Sequence, residues 1–359
     1  MTPAHEGSGG SLFPSKRREP RASLVASQLL TVGVDIGGTK LAAGVVDPDG
    51  KVIDELRAET PNKQRSAQVV EDVIADLVLS LGDRHEVHAV GIAAAGFVDE
   101  SRASVVFAPH LAWRNEPLRD ALRRRLGVPI VVENDANAAA WAEWRFGAGQ
   151  GQRQLLCVTL GTGIGGALLL HGHLQRGEYG MAGEFGHMLV VPGGHRCECG
   201  NRGCWEQYAS GNALVREARE LAKADSPVAQ RLLERVSGDL SQINGAVISD
   251  AAKDGDPAAI ELFEEIGNWL GLGIANLAAA LDPGIVVIGG GVADAGEVLL
   301  GPAREAFRRQ LTGRNFRPEA RIVRAELGNL AGLVGAADLA RPQGRRFRRL
   351  KRPRAPRPA

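Results

Sequence analysis

Residues 31–59 read TVGVDIGGTKLAAGVVDPDGKVIDELRAE, and residues 155–172 read LLCVTLGTGIGGALLLHG. In the first stretch the β-branched run TVGVDI (31–36) has the pattern of a buried strand, GGTK breaks it, and LAAGVV resumes it. DPDG at 47–50 is a turn signal, and KVIDELRAE follows as a third strand. The second stretch repeats the plan: strand LLCVTL, glycine turn GTGIGG, then strand ALLLHG ending in another turn. Two units that both open strand–glycine turn–strand predict an α/β chain built from two similar halves.

Outward from these openings, residues 64–81 read as a helix, HAVGIAA (88–94) and VPIVVE (128–133) as strands, and the Ala-rich ANAAAWAEWRF (136–146) as a helix. In the second half, helices are expected at about 207–223 and 257–281. Strand IVVIGG (285–290), a helix near 296–310, strand RIVRAEL (321–327) and a last helix near 331–340 follow. Residues 1–28 are rich in Gly, Ser, Pro and charge, and residues 341–359 in Arg and Pro, so both read as disordered tails.

The chain has 359 residues, room for two domains, and its 44% hydrophobic and 24% charged content is that of a soluble globular protein. The formal charge of +1 hides an asymmetry: residues 341–359 carry nine Arg or Lys and no acid, and residues 1–28 carry four bases against two acids. Between the tails 30 basic residues face 40 acidic ones. Such a body has no long-range pull on polyanions, which disfavours a nucleic-acid-binding core, and phosphate affinity must come from local backbone geometry. No apolar stretch approaches the roughly 20 residues that cross a bilayer. Arg17-Arg18 leads straight into Glu19-Pro20, a poor export signal. Three of the four cysteines crowd into residues 197–204, which is no secreted disulfide framework and predicts a reduced, cytoplasmic setting.

Asp35-Ile36-Gly37-Gly38-Thr39-Lys40 joins two strands. Its glycines let backbone N–H groups converge on phosphate oxygens, Thr39 adds a hydroxyl and Lys40 a charge. Asp35 could hold Mg²⁺ through water, or be a buried, hydrogen-bonded acid in a tight hairpin. Gly161, Gly163 and Gly166 satisfy G-x-G-x-x-G, yet a strand follows where a dinucleotide site needs a helix, and no P-loop pattern occurs. Two glycine hairpins, one opening each half, could close on a nucleotide's phosphates from opposite sides. Gly289-Gly290-Gly291 ends a strand, a place where α/β sheets bind ligands, or where strand and helix pack closely.

Asp135, in Glu133-Asn134-Asp135, is either the N-cap of helix 136–146 or an acid that takes the proton of an attacking hydroxyl. Cys197, Cys199 and Cys204 have the spacing C-x-C-x₄-C and can reach one tetrahedral Zn²⁺, with His187 or His195 as fourth ligand. Four protein ligands leave no open position, so such a site is structural. Cys157 reads as buried packing. Glu184 and Glu206 flank the cysteine loop and suit sugar hydroxyls, or are solvated loop charges. Trp141 and Trp144 read as core, and His5, His85, His88, His110, His171 and His173 carry no signal.

DIGGTK, ENDANAAA, GTGIGG, GEFGHM and CECGNRGCWE occur in that order, and together they resemble the ROK family of bacterial sugar kinases and repressors, on the side of its actinobacterial-type ATP-dependent glucokinases. The resemblance runs from about Thr31 to Ala340. It implies an actin-like ATPase (ribonuclease H-like) fold of two α/β domains with the catalytic cleft between them. Residues 29–139, completed by helix 331–340, would form the small domain and residues 140–330 the large one. Asp35, Gly37, Gly38, Thr39 and Lys40 match the family's first phosphate motif; Gly161, Thr162 and Gly163 match the second; Gly289, Gly290 and Gly291 match the adenosine motif. Asp135 matches the catalytic base, with Asn134, Glu184, His187 and Glu206 as further sugar contacts. His187, Cys197, Cys199 and Cys204 match the zinc site, which favours His187 over His195 and lets the metal order the sugar pocket.

The implied reaction is transfer of the γ-phosphoryl of MgATP to the 6-hydroxyl of glucose. N-acetylglucosamine, N-acetylmannosamine, mannose and fructose are rival substrates, and polyphosphate is a rival donor. The resemblance also implies a dimer or tetramer. Repressor members carry a helix-turn-helix domain ahead of DIGGTK, and the 28 residues here are too short and polar for one, which counts against a sugar-responsive regulator. The basic end, 341–359, is the feature in the regulator's favour. Many members have Pro in the loop that here reads Ala93-Ala94-Ala95-Gly96-Phe97, so the backbone contacts to the sugar are expected to differ there.

Overall fold

The computed structural model describes residues 29–224, 226–342 and 350. The two tails predicted as disordered lie outside this range, apart from residues 341, 342 and 350.

The first half opens with β1 (Leu30–Ile36), β2 (Lys40–Val46) and β3 (Val52–Glu59), a meander that continues through α1 (Ala67–Gly82) to β4 (Val87–Ala94). A small hairpin sheet follows, β5 (Phe97–Val98), β6 (Val105–Phe107) and β7 (Arg114–Glu116), then α2 (Leu118–Leu126), β8 (Ile130–Asn134) and α3 (Asp135–Phe146). The main sheet has the order β3-β2-β1-β4-β8. β1 pairs antiparallel with β2 and parallel with β4.

The second half repeats this order. β9 (Gln154–Leu160), β10 (Ile164–Leu170), β11 (His173–Leu174), β12 (Ile285–Gly289) and β13 (Arg321–Arg324) form the sheet β11-β10-β9-β12-β13. β9 is antiparallel to β10 and parallel to β12. The two similar halves expected from the paired glycine openings are thus present down to strand order. Both central strands are buried on both faces, which is why they read as continuous apolar runs.

Between β11 and β12 lie α4 (Glu206–Ala209), α5 (Gly211–Lys223), α6 (Gln230–Arg235), α7 (Gly245–Lys253) and the long α8 (Pro257–Leu281). α9 (Glu297–Gln310) and α10 (Ala331–Ala340) complete the fold. The helix expected at 207–223 is broken at Ser210, whose hydroxyl caps α5 by accepting from Ala213 N at 3.2 Å. Strand RIVRAEL stops at Arg324, and the turn GTGIGG shrinks to Gly161–Gly163 because β10 resumes at Ile164, opposite Leu160. The short helices α2, α6 and α7 and the β5–β7 sheet carry too little periodicity to be read from sequence. Among the described residues no helix is long and apolar enough to cross a membrane.

The last helix crosses back to the first sheet. Side chains at Gly33 on β1 or Gly91 on β4 would overlap the carbonyls of Leu333 and Ala336, and one at Gly335 would overlap the carbonyl of Ala138 on α3. α10 is therefore clamped between the first sheet and α3. The expected boundary at 139/140 falls inside α3, which lies against the first sheet's helix α10 and, through Ala136, against Gly165 of β10.

Candidate active site

Asn134 ends β8 and Asp135 starts α3. The N-cap is Asn134, whose Oδ1 accepts from Asn137 N at 3.0 Å, so the capping alternative for Asp135 falls away. The Asp135 carboxylate instead accepts from Ala136 N (2.9 Å) and Asn134 Nδ2 (3.0 Å). Burial pushes its proton affinity above the ordinary carboxylate range, against those hydrogen bonds and the nearby His110. Asn134 Nδ2 also donates to the Gly96 carbonyl at 3.1 Å, so the loop that lacks the family's Pro still meets the Asn134 side chain through its backbone.

Asp35 is the penultimate residue of β1, just before the first glycine turn, and its carboxylate faces Gly332 of α10. Burial first, and the charge of Asp135 second, raise its pKa to about 7. Two acids that repel across one gap make a place for a cation or a proton. The sign follows. An unfolded chain loses this proton near pH 4, the folded chain near 7, so folding binds a proton between them and stability falls as pH rises through that window. Asp35→Asn is expected to melt higher than the parent at pH 8, with the gap closing towards pH 4; parallel melting curves across that range would refute the assignment.

Gly37, Gly38, Thr39 and Lys40 are exposed in the first turn. In the second turn, Gly161 N donates to Gly163 O at 3.0 Å, and Gly211 N at the start of α5 donates to Gly161 O at 2.9 Å. Gly290 has φ +84°, and a side chain there would run into Leu160, so the third glycine cluster is locked beside the end of β9, next to the second turn. Gly290 supplies close packing, and Gly291 faces open space.

The remaining acids converge on the cysteine loop. His187, Cys197, Cys199 and Cys204 present ligand atoms within 4.8 Å of one another. His187 Nδ1 is 3.6 Å from Cys197 Sγ, and Cys199 Sγ is 3.6 Å from Cys204 Sγ. Sulfurs bound to one tetrahedral Zn²⁺ lie about 3.8 Å apart given Zn–S bonds near 2.3 Å, so the donor set and its spacing fit. His195 is not in the cluster: its ring packs on Tyr208 at 5.2 Å. The other His187 nitrogen, Nε2, is 3.9 Å from Glu184, which ties the cluster to the acids. Burial, then the charges of Asp135 and Glu206, raise the Glu184 pKa, and His187 opposes them. Glu206 accepts from Cys197 Sγ (3.2 Å) and from Ile164 N (3.3 Å), joining the cysteine loop to the second turn.

Sequence reasoning missed Glu133. It is 2% exposed, and its carboxylate takes Arg176 Nε and Nη2 at 3.0 and 2.6 Å, Asn137 Nδ2 at 3.1 Å and Asn134 N at 3.3 Å, with Arg102 Nε 3.1 Å away. Arg176 follows β11, so this buried ion cluster ties the second half to the turn that carries Asp135. Removing one partner of such a pair leaves an uncompensated buried charge. Its only sequence signal is adjacency to Asn134. Trp141 and Trp144 are packing residues as expected, their indole nitrogens donating to Asp338 and to the Gln152 carbonyl at 2.8 Å. Cys157 is buried, and its thiol is pushed up to about 12.

The model of the ROK family matches residues 31–343. A glucokinase from Streptomyces coelicolor is 49% identical over 312 residues, covering 87% of this chain and 98% of that protein. One from Thermotoga maritima is 36% identical over 313 residues, 87% of this chain and 97% of that protein. Among solved structures, a ROK family glucokinase from Streptomyces griseus in complex with glucose and AMPPNP has 52% identity and a TM-score of 0.80, covering 87% of this chain and 99% of that one.

Proposed function

The chain belongs to the ROK family and has its actin-like ATPase fold, and on that premise we propose that it is a glucokinase, transferring the γ-phosphoryl of MgATP to the 6-hydroxyl of glucose. The observation that carries the reading is the 52% identity, at a TM-score of 0.80, to a ROK glucokinase solved with glucose and AMPPNP. The free Asp135 carboxylate supports it, since Asn134 rather than Asp135 caps α3 and the charge of Asp135 is felt by both Asp35 and Glu184.

In this reading Asp135 orients the 6-hydroxyl and takes its proton, and Asn134, Glu184, His187 and Glu206 hold the other hydroxyls. Gly37–Lys40 and Gly161–Gly163 grip the phosphates through backbone N–H groups, and Gly289–Gly291 line the adenosine. Asp35 would hold Mg²⁺, which would supply charge neutralisation on the phosphate oxygens. Closure of the two lobes on the sugar excludes water and limits ATP hydrolysis. His187, Cys197, Cys199 and Cys204 would hold a structural Zn²⁺ that fixes the His187 ring. Cys197 must lose the proton it donates to Glu206 before it can ligate, which frees the Glu206 carboxylate for a sugar hydroxyl. A thiolate-rich site suits a reducing compartment, and we place the enzyme in the cytoplasm.

A coupled ADP-release assay across glucose, N-acetylglucosamine, N-acetylmannosamine, mannose and fructose, with ATP and then polyphosphate, tests the reading. Glucose with ATP is expected to give the highest kcat/KM; no ADP with any sugar, or a tenfold preference for another, rejects it. Metal analysis is expected to find about one Zn²⁺ per chain. Cys199→Ala should lose the metal and raise the glucose KM. Active, well-folded enzyme free of zinc refutes the metal assignment.

A further inference from the structure

The loop between β6 and β7 is built more firmly than a connection needs. Trp113 is fully buried and Leu111 nearly so, and both anchor it from below. The Arg114 guanidinium donates from Nη1 to the carbonyls of Ala108 (3.1 Å), Leu111 (3.3 Å) and Trp113 (2.6 Å), and lies 4.2 Å above the Phe107 ring. One cation thus ties three carbonyls of a six-residue bend. The bend presents His110, which is exposed and has no hydrogen-bond partner among the described residues.

The imidazole lies over the first glycine turn. A methyl group built on Gly38 would sit 3.7 Å from His110 Cγ and 3.8 Å from Cδ2. The same ring bears on Asp135, whose proton affinity it lowers. His110 therefore borders the turn that would hold the terminal phosphate, near enough for its charge to be felt by the acid that would hold the attacking hydroxyl. The group in passage from that turn to that hydroxyl comes within its reach. We propose that His110 donates a hydrogen bond to the phosphoryl group in flight from ATP to the sugar, an inference that rests on the kinase reading above.

In the transfer, the bond from the γ-phosphorus to the ADP oxygen breaks, the bond to the sugar oxygen forms, and the hydroxyl proton passes to Asp135. His110 makes and breaks no bond. Its N–H faces oxygens whose shared charge redistributes in the transition state, where a fixed donor on a rigid loop is worth most. Arg114 is a positioning residue for it.

The test uses the full-length chain with glucose and MgATP. His110→Ala is expected to lower kcat about tenfold to a hundredfold, the worth of one hydrogen bond to a charged group. Glucose Kd measured without nucleotide, and the melting temperature, should stay close to the parent's. His110→Gln, which keeps an N–H donor at similar reach, should recover much of the loss. Three results overturn the proposal: kcat of His110→Ala within twofold of the parent, a weakened glucose Kd with kcat intact, or a Gln variant no better than Ala. A parent chain that forms no ADP with any sugar rejects the kinase reading itself. An active parent with an unimpaired His110→Ala rejects this inference alone.

Discussion

Asp135→Asn is expected to lose at least about a hundredfold in kcat, the low end of what a placed proton acceptor contributes. The substitution keeps the volume and one acceptor oxygen, so the bonds from Ala136 N and Asn134 Nδ2 have a partner and the Asn134 cap on α3 is untouched. What disappears is a group able to take the proton of the 6-hydroxyl. Glucose affinity, measured by calorimetry, should change far less than turnover, which separates a transition-state role from uniform binding. Burial raises the Asp135 pKa, so the acid limb of the parent's kcat/KM profile is expected above the ordinary carboxylate range. A variant with near-normal turnover would remove the role.

Gly335→Ala tests the scaffold. In an isolated helix, Ala is favoured over Gly by about 1 kcal/mol, so α10 should gain. Here the added methyl would overlap the Ala138 carbonyl on α3, while Gly33 and Gly91 already bring β1 and β4 against the carbonyls of Leu333 and Ala336 on the opposite side. The helix has nowhere to retreat, and overpacking against backbone is expected to cost about 3 kcal/mol or more. The shift is read from the denaturation midpoint. Activity should fall with it, because α10 packs Gly332 against Asp35 and borders the helix that begins at Asp135. A variant as stable as the parent would show that the clamp yields.

Much of this was legible because the decisive segments are local. Buried strands such as TVGVDI and LLCVTL are apolar runs closed by glycine, and their recurrence exposes the repeated topology. α8 is read to its ends because Asp256 caps it, Pro257 starts it, and its apolar period persists for 25 residues. The cysteine cluster is visible because three ligands fall within eight residues. Glu133 and His110 were not visible. An acid next to Asn134 and a histidine after Pro109 have no pattern of their own, and each gains meaning from partners such as Arg176 and Gly38, 43 and 72 positions away.

The order of strands, the two glycine turns, the cysteine ligands and the family follow from the chain's own text, because periodicity, turn chemistry and short spacings are properties of neighbouring residues. The passage of the N-cap from Asp135 to Asn134, the burial of Glu133 between two arginines and the seat of His110 over Gly38 were decided only by the tertiary structure. Each depends on which distant segments meet, and that is set by packing of whole sheets and helices, a long-range outcome that no local pattern encodes.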